Sequence, residues 1–84
     1  MIYLRGKCTA ELADWKKSDR KTYQKIQKLI SAIEISPLSG IGKPEPLKHT
    51  LSGLWSRRID RKNRIIYTVK GDDIFIISCK WHYE

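Results

Sequence analysis

Eighty-four residues are enough for one domain, 1–84, but a domain this short buries only about 60% of the surface its unfolded chain exposes, which argues against a deep, enclosed cofactor pocket. Seventeen Lys and Arg against nine Asp and Glu give a net charge of +8, a field that attracts polyanions and makes nucleic acid the leading partner by charge. Two cysteines, Cys8 and Cys79, argue against a disulfide framework or a zinc site. No apolar run approaches the ~20 residues of a membrane span, and residues 1–7 are too poor in apolar side chains for a signal peptide. A cytoplasmic protein with no metal, no cofactor and no membrane partner is expected.

In chain order, Ile2–Leu4 reads as a short first strand and residues 9–17 as a helix with Leu12 and Trp15 three apart. Ser18-Asp19 marks a break and a cap. From Asp19 to about Glu34, the apolar residues Tyr23, Ile26, Leu29, Ile30 and Ile33 recur at helical spacing, with Arg20, Lys21, Lys25 and Lys28 turned elsewhere. Residues 36–53 hold all three prolines and three of the five glycines and read as a long loop, fastened to the core by Leu38, Ile41, Leu47, Leu51 and Leu54. Residues 55–60, 64–69 and 74–81 alternate as strands, with turns at Arg61-Lys62-Asn63 and Gly71-Asp72-Asp73, and predict an antiparallel meander. Cys79 lies within an apolar strand and is read as a core residue.

The last hairpin has two registers. A three-residue turn at Gly71-Asp72-Asp73 sets Lys70 opposite Ile74. It collects Ile65, Tyr67, Val69, Phe75, Ile77, Cys79 and Trp81 on the core face and brings Arg64 and His82 together at the polar end of the other. A two-residue turn slips the register by one and separates that pair. The first is preferred because it keeps the aromatic set together.

Cleaving RNA without a metal requires a base for the 2′-hydroxyl, a cation for the phosphate and an acid for the departing 5′-oxygen. Glu45, held between Pro44 and Pro46, is the base candidate, although the same segment also reads as a stiff turn with an exposed glutamate. His82 titrates near neutrality and suits the acid, and Arg64 suits the phosphate. Lys48, His49, Arg57 and Arg58 are candidate RNA-binding positions, and Tyr83 can orient a base.

At these residues the chain resembles the YoeB (Txe) branch of the RelE-like bacterial toxins, which are ribosome-associated mRNA interferases. The resemblance runs in register from about Trp15 to Tyr83. It is strongest through Gly42-Lys43-Pro44-Glu45-Pro46-Leu47-Lys48-His49 and Leu51-Ser52-Gly53-Leu54-Trp55-Ser56-Arg57-Arg58-Ile59, and it continues in Arg64-Ile65-Ile66-Tyr67 and Cys79-Lys80-Trp81-His82-Tyr83. It implies an α+β fold of the RelE-like, microbial-RNase type, with two N-terminal helices packed on a twisted antiparallel sheet. It implies action on mRNA in the ribosomal A site, a YefM-like antitoxin and a homodimer. The family's general base then falls on Glu45, its phosphate-stabilising arginine on Arg64, its general acid on His82 and its C-terminal aromatic on Tyr83, with Lys48 at a basic active-site position. Two departures stand out: residues 7–14 keep little of the family's first-helix pattern, and Glu84 follows the usual terminal tyrosine. Two other classes compete with the nuclease: a non-catalytic basic module that blocks translation by binding RNA or the ribosome, and an interaction protein whose basic surface receives an acidic segment.

Overall fold

The computed structural model describes residues 1–82, with His82 described through its backbone alone. The elements are β1 (Ile2–Leu4), α1 (Cys8–Ser18), α2 (Arg20–Ile35), β2 (Glu45–Pro46), β3 (Trp55–Arg58), β4 (Asn63–Lys70) and β5 (Asp73–His82). The break between the helices is a cap: the Asp19 carboxylate accepts from the Thr22 N–H at 3.1 Å and from its hydroxyl at 2.7 Å. No helix is long and apolar enough to cross a membrane among the described residues.

The sheet order is β1-β5-β4-β3-β2. The meander β3-β4-β5 is antiparallel as expected, but β1 joins parallel to β5, pairing Ile2 with Ile74 and Tyr3 with Phe75, so the whole sheet is mixed. Cys8, Ile26, Leu29 and Ile33 from the helices meet Ile59, Ile65, Tyr67, Ile74, Ile76 and Cys79 from the sheet in one buried cluster. Both helices therefore cover the same face. The other face is helix-free.

The β4–β5 register departs from the sequence expectation. The turn has two residues: Lys70 pairs with Asp73, Val69 with Ile74 and Tyr67 with Ile76. Gly71, at φ +61, supplies the left-handed backbone that such a tight hairpin needs. Ile74 and Ile76 consequently enter the core, and Phe75 leaves it to stack on Tyr3 with ring centroids 5.2 Å apart. Two irregularities in β5 then restore Cys79 to the interior and end with Arg64 opposite Trp81 and Asn63 opposite His82. Helix α1 holds this irregular stretch. Glu11 accepts from the Ser78 hydroxyl at 3.0 Å and from the Cys79 N–H at 2.9 Å, and the Trp15 indole donates to the Cys79 carbonyl at 2.9 Å. The Cys8 sulfur beside it, together with burial, holds the Cys79 thiol protonated, well above the usual thiol range.

The long loop is fastened differently from expectation. Leu47 is buried and Leu51 and Leu54 are half-buried, but Leu38 and Ile41 are exposed. Their anchoring role falls to Arg57. Its fully buried guanidinium donates to the Ser39 carbonyl at 2.7 Å, the Ile41 carbonyl at 3.1 Å and the Tyr67 hydroxyl at 3.2 Å, and also to the Ser36 carbonyl. The Tyr67 hydroxyl in turn donates to the Pro37 carbonyl at 2.6 Å. A loop with few inward apolar groups must satisfy its carbonyls somewhere, and one five-donor side chain does so here.

Candidate active site

Glu45 is set in place from both directions along the chain. Before it, Gly42 and Lys43 take positive φ values of 84° and 50°, and a Cβ on Gly42 would meet Leu29 at 2.8 Å, so the chain turns sharply where only glycine fits. The Gly42 carbonyl accepts from the Arg58 N–H at 2.6 Å, which ties the turn to β3. After it, Leu47 is buried and its N–H reaches the Leu54 carbonyl at 2.9 Å. Between these anchors Glu45 and Pro46 pair with Ser56 and Trp55, so a segment read from sequence as loop adds a two-residue edge strand. Proline is tolerated there because the edge needs no further N–H donor.

Glu45 is exposed at the mouth of an open groove of ≈ 730 Å³ lined by Glu45, Pro46, Lys48, His49, Thr50 and Leu51. Lys48 and His49 are exposed beside it, and His49 takes a left-handed φ of 59° at the start of the 3₁₀ turn His49–Leu51. A non-glycine residue in that region stores about 1–3 kcal/mol of strain, a cost found most often near functional sites. The loop thus gathers Glu45, Lys48 and His49, as the sequence predicts.

Directly opposed residues of antiparallel strands share a face. Glu45, Ser56 and Ile66 form one such row, and Arg58, Arg64 and Trp81 the next. The alternate positions Trp55, Arg57, Ile65 and Tyr67 face the helices, so both rows stand on the helix-free face. Two strand spacings and one two-residue step separate Glu45 from Arg64, about 12 Å between Cα atoms at ordinary sheet spacing. Long side chains from both can reach a group bound between them. Lys80 turns the other way, to Asp14 at 3.3 Å and over the Trp15 ring.

Two expectations need correction. Arg57 is fully buried and engaged with the loop carbonyls and Tyr67, which removes it from the RNA-binding set. Arg64 does not pair with His82 on a common face through the register first expected. The two-residue turn and the irregularities in β5 set Arg64 opposite Trp81, which moves from the expected core face to the helix-free face, and His82 opposite Asn63. The His82 side chain and Tyr83 lie outside the described residues. Glu11, which holds the strand leading to His82, was missed in the sequence, where an acid in a weakly patterned helix gives no signal of a long-range contact. Among the described residues no group of three or more His, Cys, Asp or Glu is placed to hold a metal ion.

Residues 6–83 match the family model for the YoeB-like toxin of the bacterial type II toxin-antitoxin system. The chain belongs to the YoeB toxin family. The YoeB toxin of Synechocystis sp. is 50% identical to it over 70 residues, covering 83% of this chain and 81% of the relative. The YoeB-YefM toxin-antitoxin complex from Staphylococcus aureus, described as heterotetrameric, contains a chain that superposes with a TM-score of 0.88 at 39% identity, covering 99% of this chain and 97% of that one. The YoeB dimer from the same organism superposes with a TM-score of 0.88 at 40% identity, covering 98% and 95%. Membership in the YoeB family makes this chain the toxin of a type II toxin-antitoxin system.

Proposed function

We propose that this YoeB-family toxin is a cytoplasmic endoribonuclease that cuts mRNA in the ribosomal A site by acid–base chemistry on the helix-free face. The observation that carries the reading is the presence of an exposed carboxylate, Glu45, and a guanidinium, Arg64, on that one face, with the strand that bears Arg64 paired to the strand that ends in His82. Glu45 takes the proton of a ribose 2′-hydroxyl. The 2′-oxygen forms a bond to phosphorus, Arg64 bears the charge gathered on the equatorial oxygens, and the bond from phosphorus to the 5′-oxygen breaks. His82 gives that oxygen a proton, with Tyr83 orienting a base. The products are a 2′,3′-cyclic phosphate, open to hydrolysis to a 3′-phosphate, and a 5′-hydroxyl. Lys48, His49 and Arg58 hold the RNA. A YefM-like antitoxin and a second copy of the toxin are the proposed protein partners, on the strength of the family's solved assemblies.

The test is end-group mapping of mRNA in a translating extract with purified toxin. Cuts with 5′-hydroxyl ends are expected, and Glu45→Gln should slow single-turnover cleavage by ~10²-fold or more with ribosome binding unchanged. A 5′-phosphate would overturn the mechanism. Translation arrest with intact mRNA would favour the non-catalytic binder.

A further inference from the structure

Away from the Glu45 groove, the helix-free face carries an aromatic pair. Tyr3 of β1 and Phe75 of β5 are register partners, and their rings stack with centroids 5.2 Å apart and planes 18° apart. Ile2, Ile74 and Ile76, their neighbours along the strands, pack in or against the core, so alternation turns both rings to the helix-free side. Tyr3 lies on the edge strand and is 36% exposed. The Arg5 guanidinium stands over both rings, 5.3 Å from the Phe75 centroid and 6.0 Å from that of Tyr3. Lys70 is exposed on the same face, and neither cation makes an ion pair among the described residues. Asp73, opposite Lys70, instead takes the N-terminal ammonium at 3.5 Å.

We propose that Tyr3, Phe75 and Arg5 form a stacking platform for a base of single-stranded RNA on the 3′ side of the cut, with Arg5 and Lys70 on its phosphates. Every base has a π-face, so ring stacking binds without reading sequence, and a guanidinium adds charge to it. An acidic peptide would satisfy the cations and leave the rings in water, whereas a base with its phosphate uses both. Phe75 pairs with Thr68, four residues along β4 from Arg64, which puts the Arg64 and Phe75 Cα atoms about 14 Å apart at ordinary strand dimensions. A few nucleotides cover that span. The direction follows from the sheet order: β2, with Glu45, and β1, with Tyr3, are opposite edges, and β5, which ends in His82, lies next to β1. On the proposed nuclease reading, Glu45 attends the 2′-oxygen of the upstream nucleotide and His82 the 5′-oxygen of the downstream one. RNA that continues past β5 therefore crosses Phe75 and Tyr3. The 3′ placement rests on that reading, whereas the stacking itself does not.

The experiment titrates the full-length toxin into an uncleavable, deoxy-substituted oligonucleotide carrying one fluorescent adenine analogue, placed in turn on each side of the mapped cut. Stacking on an aromatic ring quenches the analogue, and quenching is expected at a downstream position. Tyr3→Leu with Phe75→Leu keeps the cross-strand apolar contact and removes the π-faces, so it should abolish that quenching and weaken binding about tenfold. Arg5→Gln should weaken binding less and make its salt dependence shallower. Urea midpoints close to the parent's establish that the variants are folded. If the toxin does not cut RNA, quenching at any one position that the double leucine variant loses still supports the platform, so the two readings fail separately. Downstream quenching that persists in that variant, loss confined to upstream positions, no quenching in the parent, or indifference to Arg5→Gln overturns the proposal. So does a double leucine variant that binds RNA as the parent does but no longer self-associates, which would assign this face to a second copy of the chain.

Discussion

Arg57 and Arg58 are neighbours with identical side chains, and strand alternation gives them opposite roles. Arg58 faces solvent on the helix-free side, while Arg57 is buried against Tyr67 and three loop carbonyls. Alternation from the inward Trp55 carried that information in the sequence, but charge alone suggested an RNA contact. Replacing Arg57 with Met should destabilise the fold by about 3 kcal/mol or more, because charge-assisted bonds vanish and buried carbonyls are left unpaired. Arg58→Ala should stay within about 0.5 kcal/mol of the parent. Urea unfolding of the two variants separates these roles, and equal midpoints would restore Arg57 to the surface. Glu45 was legible for a different reason: prolines on both sides constrain the backbone whatever the tertiary contacts are.

Among the elements, α2 and the meander could be read from period, because each buries one face in the single cluster, whereas α1 offered only Leu12 and Trp15 three apart. Asp19 as a cap followed from its chemistry. The β5 register could not be read, since it depends on a two-residue turn and on irregularities that helix α1 holds through Glu11 and Trp15. Both registers satisfy alternation locally. Glu11→Leu should therefore cost roughly 1–3 kcal/mol by orphaning the Cys79 N–H and the Ser78 hydroxyl. Amide exchange should rise from Cys79 onward before the rest of the sheet opens, and uniform loosening of the whole sheet would contradict the clamp.

The β3–β4 turn gives a pH signature. Burial pushes the Asp60 carboxyl up, but the N–H groups of Asn63 and Lys62, the Asn63 amide and the nearby Lys25 charge more than reverse this, leaving it below the usual carboxylate range. Asp19 is lowered in the same sense by the Thr22 hydroxyl and N–H. A carboxyl depressed in the folded state stabilises it above the unfolded value of about 3.9 and loses that contribution as pH falls through the folded value. The melting temperature should hold from neutrality down to about that pH and then fall, and Asp60→Asn should flatten the drop. An unchanged acid limb in Asp60→Asn would remove Asp60 from the account.

At the scale of the whole molecule, the sequence carried the sign of the charge but not its placement. With Arg57 withdrawn into the loop, Lys48 beside Glu45 and Arg58 and Arg64 in the next row form one set of cations, Lys70 and Arg5 stand farther along the helix-free face, and a depression between α2 and the turn before β2 takes Lys25, Lys28 and Lys43 to another side. On the proposed nuclease reading, charge at that distance steers a polyanion toward the toxin while the first set contacts it. If three or four phosphates are neutralised, log affinity for single-stranded RNA should fall against log salt with a slope of about −2 to −3, a loss of roughly 20- to 60-fold between 50 and 200 mM. Fluorescence titration of an uncleavable oligonucleotide across that salt range measures the slope. Arg58→Ala should make it shallower by about 0.7, the single-strand share of one phosphate, whereas Lys25→Glu should lower affinity with less change in slope. A flat salt response would mean that the positive field is a solubilising surface. An equal change in slope for both variants would mean that RNA spreads over the α2 side as well.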